Sequence, residues 1–124
     1  MITDWSLYPN FSKAEFDCKE TGENDMRQEF MQALQALRTA YGAPMVITSG
    51  YRSARHSIEA RKDKPGAHES GMACDVSVGP GARTYDLVRL AILHGFTGIG
   101  VSQKNGLPRF IHLDMLPRKA VWSY

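Results

Sequence analysis

"TGIGVSQKNGLPRFIHLD", residues 97–114, reads as two β-strands folded against each other. The β-branched run "TGIGV" (97–101) and the alternating run "RFIHLD" (109–114) flank Asn105 and Gly106, a pair suited to the positive φ of a tight hairpin turn. A hairpin pairs its strands antiparallel, so this stretch sets the character of the sheet. Side chains alternate across a strand, which puts Phe110, His112 and Asp114 on one side and Ile111 and Leu113 on the other. One face of the second strand therefore carries ionisable groups.

Upstream, "MACDVSV" (72–78) reads as another strand, and "TYDLVRLAILHG" (84–95) as a helix stopped by Gly95. His94, at the end of that helix, is suited to its free carbonyls. "MVITSG" (45–50) is a short β-branched strand ending at Gly50, and a long polar loop runs from Tyr51 to about Gly66. From Met26 the apolar residues Phe30, Met31, Leu34, Leu37 and Tyr41 recur at helical steps, with Asn24 or Asp25 to cap the start and Gly42 the end. Ser12 and Glu15 have the spacing of a capping box, which opens a short helix near residue 13. Helices before and between strands, with a terminal hairpin, predict an α+β fold: one small domain over residues 1–124, with flanking helices on a largely antiparallel sheet.

The chain of 124 residues is long enough for one core and short for two. Its net charge of +2 is far below the basic footprint of a dedicated nucleic-acid binder, so no nucleic-acid partner is expected. Arg52, Arg55, Arg61, Lys62 and Lys64 crowd within thirteen residues, relieved by Glu59 and Asp63, and read as a solvated loop. "MITDWSLYPN" lacks the pattern of a secretory signal, and no run approaches the ~20 apolar residues of a membrane helix. The expectation is a monomer made in the cytoplasm, with no membrane insertion. Cys18 and Cys74 are too few for a disulfide framework and read as free thiols.

"GAHESGMACD" (66–75) sets His68 seven positions before Asp75. Asp75 lies inside an apolar strand, where an unpaired carboxylate costs several kcal/mol to bury, so it needs a partner. Zinc takes nitrogen and carboxylate ligands, and catalytic sites use three protein ligands with a fourth position for water. Spacing alone leaves two readings open. His68, Asp75 and His112 form one metal site, or they are a loop residue, a salt-bridged acid and a half-buried strand histidine. His56 and Glu59, in the basic loop, read as substrate-side or surface groups.

The set "SGYRS" (49–53), "HESGMACD" (68–75) and "FIHLD" (110–114) resembles the zinc D-alanyl-D-alanine carboxypeptidases and endopeptidases of the M15 peptidase family. The wider kin of that family include lysostaphin-type enzymes and the hedgehog domain. The likeness runs in order from "FSKAEFDC" to the tail "AVWSY". It implies a hedgehog/D-Ala-D-Ala peptidase-like fold, Zn2+ held by His68, Asp75 and His112, and Arg52 contacting the substrate or the reacting carbonyl. Small residues at Gly71 and Ala73 would let the backbone pass close to the metal, and Ser70 would steady a ligand.

The implied activity is metal-assisted hydrolysis of D-amino-acid peptide bonds in peptidoglycan stem peptides. As a small domain without a signal sequence, the chain is also similar to the phage lysis and virion-associated enzymes of the family, which would reach the cell wall when released. The acid that relatives place three residues before the last histidine is here Arg109. Asp114, on the strand face of His112, becomes the leading candidate for the base, with support of His112 as its alternative and Glu59 and Glu69 behind it. Without a base, the alternative function is a catalytically inactive zinc-bearing module that binds cell-wall peptide or a protein.

Overall fold

The computed structural model describes residues 1–62, 66–79 and 81–124. Asp63 and Lys64 of the basic run lie outside the described residues. Three α-helices, α1 (Lys13–Phe16), α2 (Gln28–Tyr41) and α3 (Gly81–Leu93), accompany five strands. The strands are β1 (Val46–Ser49), β2 (Ala73–Ser77), β3 (Gly98–Lys104), β4 (Leu107–Asp114) and β5 (Ala120–Ser123). They form one sheet in the order β1-β2-β4-β3-β5, antiparallel except where β5 runs parallel to β3. This is the α+β architecture expected, with β5 as an added edge strand.

The local chemistry of each element follows its residues. α1 carries the capping box of Ser12 and Glu15. In α2 the stripe of Phe30, Met31, Leu34 and Leu37 is buried, and Gly42 ends the helix at φ +72°. Its start differs from expectation: Arg27 is the N-cap residue, and Asn24 instead accepts a bond from the Met26 N–H just upstream. His94 bonds the Leu90 carbonyl at the end of α3, as a C-terminal histidine should.

The hairpin turns at Asn105 and Gly106, both at positive φ. Its strands are longer than the sequence pattern suggests, because "SQK" and "LP" are paired rather than looped. Pro108 and Arg109 interrupt the ladder with one extra residue on β4. Proline has no N–H to give, and a bulge is where a strand tolerates it.

One face of the sheet packs on the helices. Cys74, Val76, Ile99, Ile111 and Leu113 meet Phe30, Met31, Leu34, Leu87 and Phe96 in a single apolar cluster. The other face presents Asp75, Phe110, His112 and Asp114, so the alternation of β2 and β4 separates packing from chemistry. Among the described residues, no helix is long and apolar enough to cross a membrane.

Candidate metal centre

Asp75 on β2 and His112 on β4 are direct cross-strand partners near the middle of the sheet. His68 enters from a 3-10 turn, His68–Ser70, that leads into β2. One ligand atom from each of the three lies within 4.8 Å of the others. His68 Nε2 is 3.4 Å and His112 Nδ1 3.1 Å from the same oxygen, Asp75 Oδ1.

The remaining ring nitrogens fix the tautomers. His68 Nδ1–H donates to the Gly50 carbonyl at 2.9 Å, and His112 Nε2–H donates to Asp114 Oδ2 at 2.8 Å. With those protons so placed, His68 Nε2 and His112 Nδ1 both face Asp75 Oδ1. Three acceptors cannot converge without a cation or a proton among them, and a metal ion suits that donor set. Burial opposes the charge of Asp75, but His112 and His68 hold its carboxyl down at about 2. Burial likewise disfavours the His112 cation, yet the bonds to Asp114 and Asp75 carry its pKa above the ordinary value.

Asp114 is fully buried, and all its accepting positions are taken. Oδ1 receives Arg118 Nη1 at 2.7 Å and the Leu116 N–H at 3.2 Å, while Oδ2 receives Arg118 Nη2 at 2.8 Å as well as His112. The two-pronged arginine holds it ionised, well below the usual carboxylate range despite burial.

Glycines on β3 make the room for this. Gly98 pairs with Asp114 and Gly100 with His112. A Cβ on Gly98 would come within 2.3 Å of both Asp114 oxygens, and one on Gly100 within 2.8 Å of the Trp122 indole nitrogen. Trp122, from β5, lies 5.2 Å from the His112 ring and under the Arg118 guanidinium. The resulting cleft, about 320 Å³, is also lined by Arg52, Lys62, Phe110 and Tyr124. A larger apolar hollow of about 600 Å³ beside Ile92, Phe96 and Val121 contains no histidine or carboxylate. Chemistry rather than size marks the site.

Compared with known families, residues 9–114 match the family model described as Peptidase M15. The chain belongs to the M15 peptidase family. No curated protein matches the chain. The match ends at Asp114, so Arg118, Trp122 and Tyr124 lie beyond the part of the M15 chain that the family model covers.

Other residues of the M15 chain stand differently from the sequence-based expectations. Asp114 faces the far nitrogen of His112, and each of its oxygens already accepts two donors, an arrangement suited to support of His112. Glu59, read as a substrate-side or surface group, is buried with its side chain wholly covered, and bonds Arg52 at 3.4 Å. His56 pairs with Glu20 at 3.0 Å. Arg109, the extra residue of the β4 bulge, is exposed and does not line the cleft.

Gly71 serves its neighbours rather than a metal. It sits at φ +76°, and a Cβ there would lie 2.1 Å from the Asp25 carbonyl. Ser70 Oγ bonds the Ala67 carbonyl and receives the Met72 N–H, which secures the turn bearing His68 and not the His68 ring. Gly50 has a clear part: its missing Cβ would strike the Phe16 backbone at 2.6 Å, and its carbonyl holds His68.

Arg118, Trp122, Gly98, Gly100 and Lys62 were not singled out as site residues from the sequence. The two glycines, one strand-repeat apart opposite two polar residues, were the available signal.

Proposed function

We propose that the chain is a zinc-dependent metallopeptidase that hydrolyses D-amino-acid-containing bonds of peptidoglycan stem peptides, as a carboxypeptidase or an endolysin-type endopeptidase. The observation that carries the reading is the convergence of His68 Nε2 and His112 Nδ1 on Asp75 Oδ1, two imidazole nitrogens and one carboxylate in an M15 chain. That donor set suits zinc, which when bound polarises a carbonyl and makes a water acidic near neutral pH. Gly50 and Asp114 orient the two imidazoles. Arg52, one-fifth exposed at the cleft, presents N–H donors to a substrate carboxylate or to developing oxyanion charge. Phe110, Trp122 and Tyr124 line the same cleft and form an aromatic wall against which the rest of a peptide packs.

A second reading has its own observation. Among the described residues lining the cleft, the carboxylates are Asp75, in the ligand set, and Asp114, bound by Arg118. A site with no free acid suits a zinc-bearing module that binds cell-wall peptide without cutting it. Incubation of the zinc-loaded protein with purified peptidoglycan, followed by mass spectrometry of soluble products, separates the two. New stem-peptide fragments are expected. Co-sedimentation with the wall but no fragment, across several wall chemistries, would establish the binding module instead.

A further inference from the structure

Glu59 is an acid of the loop that follows β1, and it is turned inward. Its side chain is 0% exposed, whereas those of its partners Arg52 and Lys62 are 21% and 41% exposed and both line the metal cleft. Glu59 Oε2 receives Arg52 Nη1 at 3.4 Å and Lys62 Nζ at 2.9 Å, and Oε1 receives the Gly66 N–H at 3.0 Å. Gly66 has no side chain to spare: a Cβ would lie 2.6 Å from Lys62 Nζ and 2.8 Å from Glu59 Oε1. Burial works against the charge on Glu59, but these bonds keep its pKa below the ordinary value.

One hidden carboxylate thus holds two cations, leaving a net charge of +1 for the three groups, and it is the positive members that reach the cleft. Each keeps donors to spare, since Arg52 gives Glu59 one of its five N–H bonds and Lys62 one of three.

We propose that Glu59 is a positioning residue that fixes Lys62 beside Arg52 as a second substrate-facing cation, and that the pair selects substrates bearing a carboxylate on the loop side of the cleft. This rests on the peptide-binding reading above and adds to it the charge of the ligand. The carboxylate is either the C-terminus of a peptide or an acidic side chain within it.

Binding without turnover tests this. The zinc-loaded protein is titrated calorimetrically with three forms of acetyl-Lys-D-Ala-D-Ala whose last peptide bond is reduced to CH2–NH. One ends in a free carboxylate and one in an amide; the third ends in an amide and carries D-Glu in place of the first D-Ala. One carboxylate-bearing form is expected to bind about tenfold tighter than the simple amide, as a charge-assisted hydrogen bond allows. Preference for the first form assigns the terminal carboxylate, and for the third the side-chain one.

Lys62→Gln should bring the preference ratio most of the way to one, and Lys62→Arg should restore it. Glu59→Gln should shrink the same ratio in protein whose circular dichroism is native; if that variant fails to fold, the lysine pair decides. Equal affinity for all three forms, or a ratio unmoved in Lys62→Gln, overturns the proposal. Hydrolysis of the unreduced peptide is scored separately, so failure of the peptidase reading leaves a distinct signature.

Discussion

Replacing Asp114 by asparagine changes one oxygen to an NH2 group and almost nothing in volume. In the native protein each oxygen receives two donors, Leu116 N–H and Arg118 Nη1 on Oδ1, and His112 Nε2–H and Arg118 Nη2 on Oδ2. Whichever way the amide turns, its NH2 faces two donors, so two of four bonds are lost and a donor-donor conflict appears. Bonds to charged groups are worth roughly 1.5–3 kcal/mol each, and removing one partner of a buried charge pair costs about 3–5 kcal/mol. Arg118 is 39% exposed and can turn part of its guanidinium to water, which offsets some of this. The expected loss of stability is about 2–4 kcal/mol.

The consequence for the metal is separable. A neutral amide is a weaker acceptor for the His112 Nε2–H, so Nδ1 becomes less basic and the ring less firmly aimed. Loss of such an outer partner weakens metal affinity about 10–100-fold. Competition with a fluorescent zinc chelator gives the affinity, and urea unfolding gives the stability. If Asp114 were instead the proton acceptor, Asp114→Asn would keep its zinc affinity while the rate fell about 10²–10⁴-fold. Unchanged affinity and unchanged stability together would refute the positioning argument.

Three further outcomes follow from the same geometry. His68→Ala and His112→Ala should each leave far less than the about one zinc per chain expected for a three-ligand site, measured by elemental analysis after dialysis; full occupancy in either variant removes that residue from the site. Gly98→Ala places a Cβ 2.3 Å from the Asp114 oxygens, so calorimetry should show about 1–3 kcal/mol of overpacking, and a native melting temperature would contradict the close approach. With metal absent, His112 has a raised pKa, so its contribution to stability is complete below the unfolded value of about 6.5 and disappears as pH rises through the higher folded value. Asp75 acts oppositely: its contribution is present above about 3.9 and is lost as pH falls toward about 2. Urea midpoints of metal-free protein should therefore decline from mildly acidic to mildly alkaline pH, while those of the zinc-loaded protein rise as protons cease to compete with the metal for its ligands. Parallel pH profiles for the two forms would count against a shared site.

The parts of the molecule legible in the sequence are those whose signal is local and periodic. The α2 stripe, the capping box at Ser12 and Glu15 and the turn at Asn105 and Gly106 each state their structure within a few residues. β5 does not: four residues of alternating exposure acquire meaning only beside β3. Register was hidden for a specific reason. Counting back evenly from the turn sets Gly98 opposite Leu113, and the extra residue at Pro108–Arg109 shifts it opposite Asp114. His68, Asp75 and His112 could be grouped from the sequence through the motifs that resemble the M15 pattern, since spacing and the apolar strand around Asp75 alone left two readings open. For Asp114 the sequence left two roles open, and its partner Arg118 was missed because it stands four residues on and outside any periodic element. The surface alternative for Glu59 fails: a basic loop looks solvated by composition, whereas burial there is decided by which side chain gathers the others inward.

The three proposed ligands differ in how they are held, and the difference bears on how the site works. Asp75 and His112 are cross-strand neighbours whose backbones are fixed by ladder pairing on β2 and β4. Their separation is set by the sheet and changes little unless the sheet does. His68 stands on a short turn held by single bonds: its own Nδ1–H to Gly50, the Arg52 N–H to its carbonyl at 3.3 Å, and the Arg27 N–H to Gly71 at 3.0 Å. One of those bonds comes from the residue whose side chain Glu59 holds at the cleft. The backbone of Arg52 is thus joined to the turn that carries His68 by a single hydrogen bond. Two of the three ligands therefore stand on rigid ladder-paired strands and one on a turn, and sites built on strands are held more precisely than sites on loops.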